Sequence, residues 1–318
     1  MSDHVRFHAN NHALFNNIRI RSRCLTLLRE FFFARGFIEV ETPIVCTSPG
    51  VETQLAAMPV SCMRRTMYLT TSPEFHMKRL VAVGHDRIFQ VTRAFRDGER
   101  GDRHNPEFSM VEWYRRDCDY NVIMDDCQDL LRHIARGVTG RLEFPAIDGT
   151  RGSIDLSAPF RRVTMCQAFA ELGLPEPFGL SLEERDRIAV DHLDAHLGAH
   201  EPEFLIEYPA DQASLARKKP DDPRVAERFE LYCGGLELCN GFSELSDADE
   251  YLERCRLDLA ERARLGLPAY PIDDHYVSML RDGLPPCSGT ALGFDRLVML
   301  AAAAPTIRDV IAFPWDQA

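Results

Sequence analysis

Between Phe95 and Arg115 the sequence reads FRDGERGDRHNPEFSMVEWYR, a run that changes character at Pro106. Before that proline, Arg96, Arg100 and Arg103 alternate with Asp97, Glu99 and Asp102, and Gly98 and Gly101 loosen the backbone between them. After it, Phe108, Met110, Glu112 and Tyr114 fall on one face of a predicted strand, so an otherwise apolar face carries a carboxylate and a phenol. Guanidinium groups on a loose loop suit bidentate anions such as phosphates. Taken alone, the segment reads equally well as a solvated loop leading into a core strand.

Two further segments carry chemistry. In GGLELCNGFSEL, Asn240-Gly241 and Gly234-Gly235 compete as the turn of a hairpin. The first choice makes Glu237 and Glu244 cross-strand partners on one face. The second leaves them on one strand, on opposite faces unless a bulge at Asn240-Gly241 shifts the phase. Carboxylates paired on one side of a sheet repel, which points to a divalent cation, an ammonium group, or one of each. A surface pair tolerated by water is the competing reading. In SGTALGFDRL the small residues allow a planar ligand to approach the backbone, and Arg296 opens a predicted helix from which it reaches a phosphate or stacks on a base. Together the three segments outline a nucleotide site, with cations for phosphates, carboxylates for Mg²⁺ and a flat floor for a purine.

The elements that must position these residues are a mixture of strands and helices without a βαβ rhythm, which predicts an α+β fold with an antiparallel β-sheet flanked by helices. Residues 17–35 have helical spacing with Gly36 as C-cap, and FIEVETPIV, RTMYLTTSPEF and DRIFQVTRAF read as strands, with a helix in EFHMKRLVAVG. Residues 120–137, 181–200 and 247–265 read as helices, and another begins near Asp295. His192, His196 and His200 recur every fourth residue, but without a further ligand cluster they read as a solvated helix face.

Composition bounds the function. A chain of 318 residues with 45% hydrophobic and 27% charged residues is that of a soluble globular protein, and no apolar run reaches membrane-spanning length. Ten cysteines without CxxC pairs suggest reduced thiols in a cytoplasm and no zinc site. A net charge of −12 argues against broad, charge-driven nucleic-acid binding, while leaving room for a basic cleft lined by Arg87, Arg93, Arg96, Arg100 and Arg103.

On these residues a resemblance emerges. GFIEVETPIV with the following SPGVE resembles motif 1 of the class II aminoacyl-tRNA synthetases, FRDGERGDRHNPEF resembles motif 2, and GTALGFDRLVML resembles motif 3. TSPEFHMKRL, NPEFSMVEWY and GLELCNGFSEL are similar to the lysyl-tRNA synthetase branch. Two departures stand out. Motif 1 begins near Gly36, which leaves no room for the anticodon-binding OB domain expected ahead of it, and Ala291 stands where the lysyl enzymes have glycine. A methyl group in the floor of a tight pocket is worth roughly 1–3 kcal/mol of discrimination. Both departures are shared by the elongation factor P–(R)-β-lysine ligases, which the whole chain resembles.

That resemblance implies a single class II catalytic domain over residues 1–318 with a helical insertion at about 120–200. It implies ATP-dependent activation of (R)-β-lysine and transfer to a lysine side chain of elongation factor P. Cofactors would be ATP and Mg²⁺. It further implies a homodimer built through motif 1, a functional link to a lysine 2,3-aminomutase, and no role for tRNA or membranes.

By the same resemblance, Arg96, Arg296 and Glu237 are the catalytic residues, with Arg96 on the α-phosphate and substrate carboxylate. Asp97, Gly98, Glu99, Asn105, Leu238 and Gly293 line the nucleotide, with Glu99 taking over an adenine contact from Gly98. Ser72, Pro73 and Glu74 face the backbone-side amine; Glu112, Tyr114 and Glu244 face the distal amine, above Ala291. Glu237 and Glu244 are the expected Mg²⁺ ligands. A lysyl-tRNA synthetase-like enzyme activating L-lysine, and a non-catalytic regulatory subunit, remain as alternatives. The second would be free to lose Arg96, Glu237, Glu244 and Arg296, yet all four are present.

Overall fold

The structure, a computed structural model, describes residues 12–147, 152–193 and 196–318. Its helices are α1 (His12–Ala34), α2 (Glu74–Ala82), α3 (Tyr120–Thr139), α4 (Met165–Glu171), α5 (Leu182–Ile188), α6 (Ala248–Arg264), α7 (Asp274–Gly283) and α8 (Phe294–Ala302). The strands are β1 (Ile38–Glu39), β2 (Val45–Cys46), β3 (Pro59–Cys62), β4 (Arg65–Leu69), β5 (Arg87–Phe95), β6 (Glu107–Arg116), β7 (Glu143–Pro145), β8 (Ser153–Asp155), β9 (Arg161–Thr164), β10 (Glu203–Pro209), β11 (Val225–Cys233), β12 (Leu236–Ser243) and β13 (Cys287–Gly293).

Eight of these strands form one sheet in the order β1-β5-β6-β13-β12-β11-β10-β9. It is antiparallel from β5 to β10, with the parallel pairs β1–β5 and β9–β10 at its ends. Smaller sheets, β2-β4-β3 and β7-β8, lie outside it. The predicted antiparallel α+β core is therefore present. Segment 120–200, expected to be helical, is mixed: it carries β7, β8 and β9, and β9 extends the main sheet. The predicted helix over 181–200 is shorter, α5 giving way to a π-helical turn at Ala189–Leu193, so the three histidines do not share one α-helical face.

The two faces of the sheet differ in kind. One is sealed by α1, α3 and α8. Cys24, Leu27, Leu28, Phe31 and Phe32 of α1, and Ile123, Cys127, Leu130, Leu131 and Ile134 of α3, recur at helical spacing and pack on Phe89, Trp113, Leu231 and Leu292. Asp119 caps α3 at its start by accepting from Asn121 N, and Gly140, at φ 77°, ends it in the left-handed conformation open to glycine. The short α8 is apolar around most of its circumference, as a helix buried on all sides must be.

The opposite face is polar. Residues paired directly across a ladder point the same way, so Gln90, Glu112, Ala291, Asn240 and Glu230 form one row across five strands. One end of this face is covered by a second apolar cluster that includes Met77, Tyr251, Tyr276 and Leu280 from α2, α6 and α7. Buried Arg262 of α6 ties down the loop after β2, donating to the carbonyls of Glu52 at 2.9 Å and Leu55 at 3.0 Å.

Close approach sets the centre of the sheet. A Cβ on Gly289 would lie 2.4 Å from the Tyr114 ring, and one on Gly241 would lie 2.5 Å from Thr290. The space expected above the SGTALG backbone for a planar ligand is thus occupied at Gly289 by Tyr114. Gly289→Ala is expected to overpack this contact and cost about 1–3 kcal/mol, read as a lowered midpoint in urea unfolding.

Candidate active site

Hairpin β11–β12 turns at Gly234-Gly235, both at positive φ, which settles the choice left open by the sequence. The phase shift exists but lies elsewhere. Leu231 pairs with Cys239 and Tyr232 with Glu237, leaving Leu238 as the extra residue of a bulge instead of Asn240-Gly241. Leu238 and Cys239 therefore both enter the core, and Glu237 joins Asn240, Phe242 and Glu244 on the polar face. Leu238, expected to line a nucleotide, is 2% exposed in the core, so only its backbone can face the site.

Glu237 and Glu244 share a face without forming a pair. Seven steps along a strand separate them by about 20 Å, and each has its own cation. Arg296 Nη1 donates to the Glu237 carbonyl at 2.8 Å and to its Oε2 at 3.2 Å, whereas Glu244 forms an ion pair with Lys78. The expectation that the two hold one Mg²⁺ is corrected on this geometry. The carboxylate beside Glu237 is that of Glu230, which, after burial, is the main influence raising the Glu237 pKa. Glu230 is itself held by Arg228 Nη2 at 2.6 Å and Tyr232 Oη at 2.8 Å.

Residues 95–105 form the cationic end. Arg96 lies 5.2 Å from the Phe108 ring centroid, reaches Glu99 at 3.5 Å, and leaves its Nε without a hydrogen-bond partner among the described residues. Asp97 N donates to Ala56 O at 2.7 Å and Gly98, at φ 77°, makes the turn that follows. Arg103 Nη1 reaches Gly235 O at 2.7 Å, pinning the loop to the hairpin turn. His104 Nε2 accepts from Arg296 Nη2 at 2.8 Å; burial and the adjacent arginine lower its pKa, so the ring is the neutral acceptor. Asn105 differs from expectation. Its amide donates to Glu107 O at 2.6 Å and accepts from Trp315 N at 3.2 Å, so the side chain braces the loop against the C-terminal segment.

Arg296 owes its place to a clamp that its motif does not reveal. Asp295, 2% exposed, accepts from Arg21 Nη1 at 2.5 Å and from Ser109 N at 2.7 Å, locking the first turn of α8 to α1 and β6. At Gly293, on the polar face, a Cβ would meet only Arg296 methylenes at 3.6 Å or beyond, so the space above it is open.

The acidic end lies along β6, four residues or about 13 Å from Phe108. Glu112, 1% exposed, accepts from Tyr114 Oη at 2.5 Å and from Ser72 Oγ at 2.8 Å. Pro73 caps α2, and Glu74, its first residue, accepts from Lys78 Nζ at 2.5 Å. Lys78 links Glu74 to Glu244, and Glu244 Oε1 has no hydrogen-bond partner among the described residues. The residues expected to serve two separate ammonium groups thus interlock: Ser72 with Glu112, Glu74 with Glu244. Ala291 lies directly between Glu112 and Asn240 on this face.

Burial and the nearby Glu74 push Glu112 up to about 7, and burial does the same to Glu52, whose Oε2 is also unpartnered. Lys78 is held well above the usual lysine range because Glu244 and Glu74 outweigh its burial. Sequence reasoning missed Lys78, Glu52, Arg228 and Glu230. The first was accessible: Glu74 and Lys78 are four apart on a predicted helix, the spacing of an ion pair. Glu52 lies in a loop with no periodicity to place it.

The comparison with known proteins agrees with this geometry. The family described as tRNA synthetases class II (D, K and N) matches residues 3–317. An elongation factor P–(R)-β-lysine ligase of Yersinia enterocolitica is 42% identical over 95% of this chain and 96% of its own. One from Salmonella arizonae is 41% identical over the same shares, and one from Vibrio vulnificus is 38% identical over 96% of this chain and 98% of its own. The three motifs, the sheet that carries them and this similarity along nearly the whole chain make it a member of the class II tRNA synthetase (D, K and N) family, alongside the elongation factor P–(R)-β-lysine ligases.

Proposed function

We propose that the protein activates (R)-β-lysine with ATP and transfers it to a lysine side chain of elongation factor P. The observation that carries this reading is the acidic cluster in which buried Glu112 and Glu244 are joined by the half-buried Glu74 of α2, on the side of the sheet that also receives Arg96 and Arg296. Burying an ammonium group without anionic partners is costly, so a cavity wall of carboxylates is what a diamine requires.

In the first step a substrate carboxylate oxygen attacks the α-phosphorus of ATP, forming the acyl–phosphate bond as the bond to pyrophosphate breaks. The nucleophile is already ionised, so the task is alignment and charge neutralisation, not proton removal. Arg96, with its Nε uncommitted, takes the α-phosphate and substrate carboxylate; Arg296 takes the far end of the triphosphate. Glu237, with Glu230 beside it, fits a hard divalent cation such as Mg²⁺, since both offer carboxylate oxygens. Bound there, Mg²⁺ would supply positive charge to the phosphates. In the second step the neutral acceptor amine attacks the adenylate carbonyl; the amide C–N bond forms, the C–O bond to AMP breaks so that AMP leaves, and the amine's proton is released to water.

Ser72, Glu74, Glu112, Tyr114 and Glu244 hold the substrate ammonium groups, with Ala291 limiting how deep the chain of the substrate settles. On this reading the reaction takes place in the cytoplasm, with a lysine 2,3-aminomutase as the source of β-lysine. A homodimer through the motif 1 surface belongs to the same proposal; Phe33, Ile38 and Ile44 are exposed there.

ATP–pyrophosphate exchange with (R)-β-lysine and L-lysine in parallel tests the proposal. Preference for (R)-β-lysine, with label passing to elongation factor P, is the expected result; preference for L-lysine with label on tRNA refutes it. Ala291→Gly is expected to shift preference toward L-lysine by about 10- to 100-fold, the range a buried methyl group commands, and an unchanged ratio of kcat/KM values removes Ala291 from the specificity.

The raised pKa of Glu112 gives a pH dependence. Its carboxylate is ionised above about 7 and neutral below. The kcat/KM for the diamine is therefore expected to fall as pH drops below 7, and Glu112→Gln to make that limb shallower and lower its plateau. An identical limb in the variant assigns the titration to another group.

A further inference from the structure

Lys78 takes no part in the steps above, yet it occupies the innermost position of the acidic cluster. Its side chain is fully buried, its Nζ donates to Glu74 at 2.5 Å, and it forms an ion pair with Glu244. The Nζ lies 5.1 Å from the Phe242 ring centroid and 6.0 Å from that of Tyr276, so aromatic faces complete its surroundings. Four carboxylates, those of Glu52, Glu74, Glu112 and Glu244, interact with this one ammonium. If the residue only had to pack α2 against β12, an apolar side chain of the same length would do so without desolvating a charge.

We propose that Lys78 is a positioning residue for the diamine, a resident cation that fixes Glu74 and Glu244 and closes the inner end of the acidic slot. The inference rests on the cluster being the diamine site. Lys78 leaves Glu244 Oε1 unpartnered and buried, available to the incoming ammonium. It also opposes protonation of Glu244 and Glu112, whose carboxyls burial otherwise raises, since an ammonium nearby favours their ionised forms. The substrate then meets a slot whose depth is set by a positive charge, which repels any second cation driven further in.

ATP–pyrophosphate exchange reads this role. Lys78→Ala is expected to raise the KM for the diamine about 10-fold or more while the KM for ATP stays within about twofold. The vacated space matches the propylammonium arm lost beyond Cβ, so millimolar propylammonium is expected to restore the diamine KM, and propanol is not. An unchanged diamine KM, or equal restoration by propanol, overturns the proposal. Should Lys78→Ala fail to fold, Lys78→Met combined with Glu74→Gln removes both members of one ion pair and is compared with Glu74→Gln alone. A further rise in the diamine KM of about 10-fold supports the role, and equal KM values refute it. Wild-type protein that exchanges pyrophosphate with no diamine removes the site reading and this proposal together, a result visible before any variant is made.

Discussion

Negative charge held out of water is the constraint on which this site turns. Glu112 and Glu244 are buried on a sheet face, Glu74 and Glu52 stand near them, and Lys78 is the cation placed among them. Neighbouring carboxylates in a poorly solvated place cannot all ionise without cations, so burial pushes Glu112 and Glu52 up to about 7 and raises Glu244 as well. A cluster of this kind is a poor way to stabilise a fold and a good way to select a doubly charged ligand.

The scaffold tolerates the cluster because the other face of the sheet is so thoroughly apolar. α1, α3 and α8 seal that face with aromatic and aliphatic side chains, including the stacked rings of Phe32 and Phe89 at 4.5 Å. Stability lodged there leaves the polar face free to carry charge. The Arg21–Asp295–Ser109 clamp joins the two sides, because α8, a helix of the core, also carries Arg296 into the site.

Charge is distributed unevenly along the face. At one end, guanidinium groups on a glycine-containing loop meet an open backbone at Gly293; at the other, carboxylates meet donors from Ser72 and Tyr114. The separation of the two ends along β6 is comparable with the length of an activated amino acid, so a single extended substrate can span them. Its carboxylate would be delivered to the arginines because its ammonium groups are claimed elsewhere.

Local order was legible from the sequence because it follows from local rules. Periodicity placed α1, α2, α3 and α6, alternation placed Glu112 and Tyr114 on one face of β6, and three ordered motifs pointed to the family. What needed the tertiary structure was whatever depended on register or on residues distant in the chain. The bulge fell at Leu238, which sent that side chain into the core, because the facing strand skips a residue there and no local signal marks the skip. Glu237 and Glu244, equivalent by type, parted company because one reaches Arg296 from α8 and the other Lys78 from α2. Asn105 became a brace when the C-terminal segment arrived beside it. The chain determined which side chains were available for the chemistry; packing decided which cation each carboxylate would meet, since electrostatic partners are chosen by distance in space and not by order along the sequence.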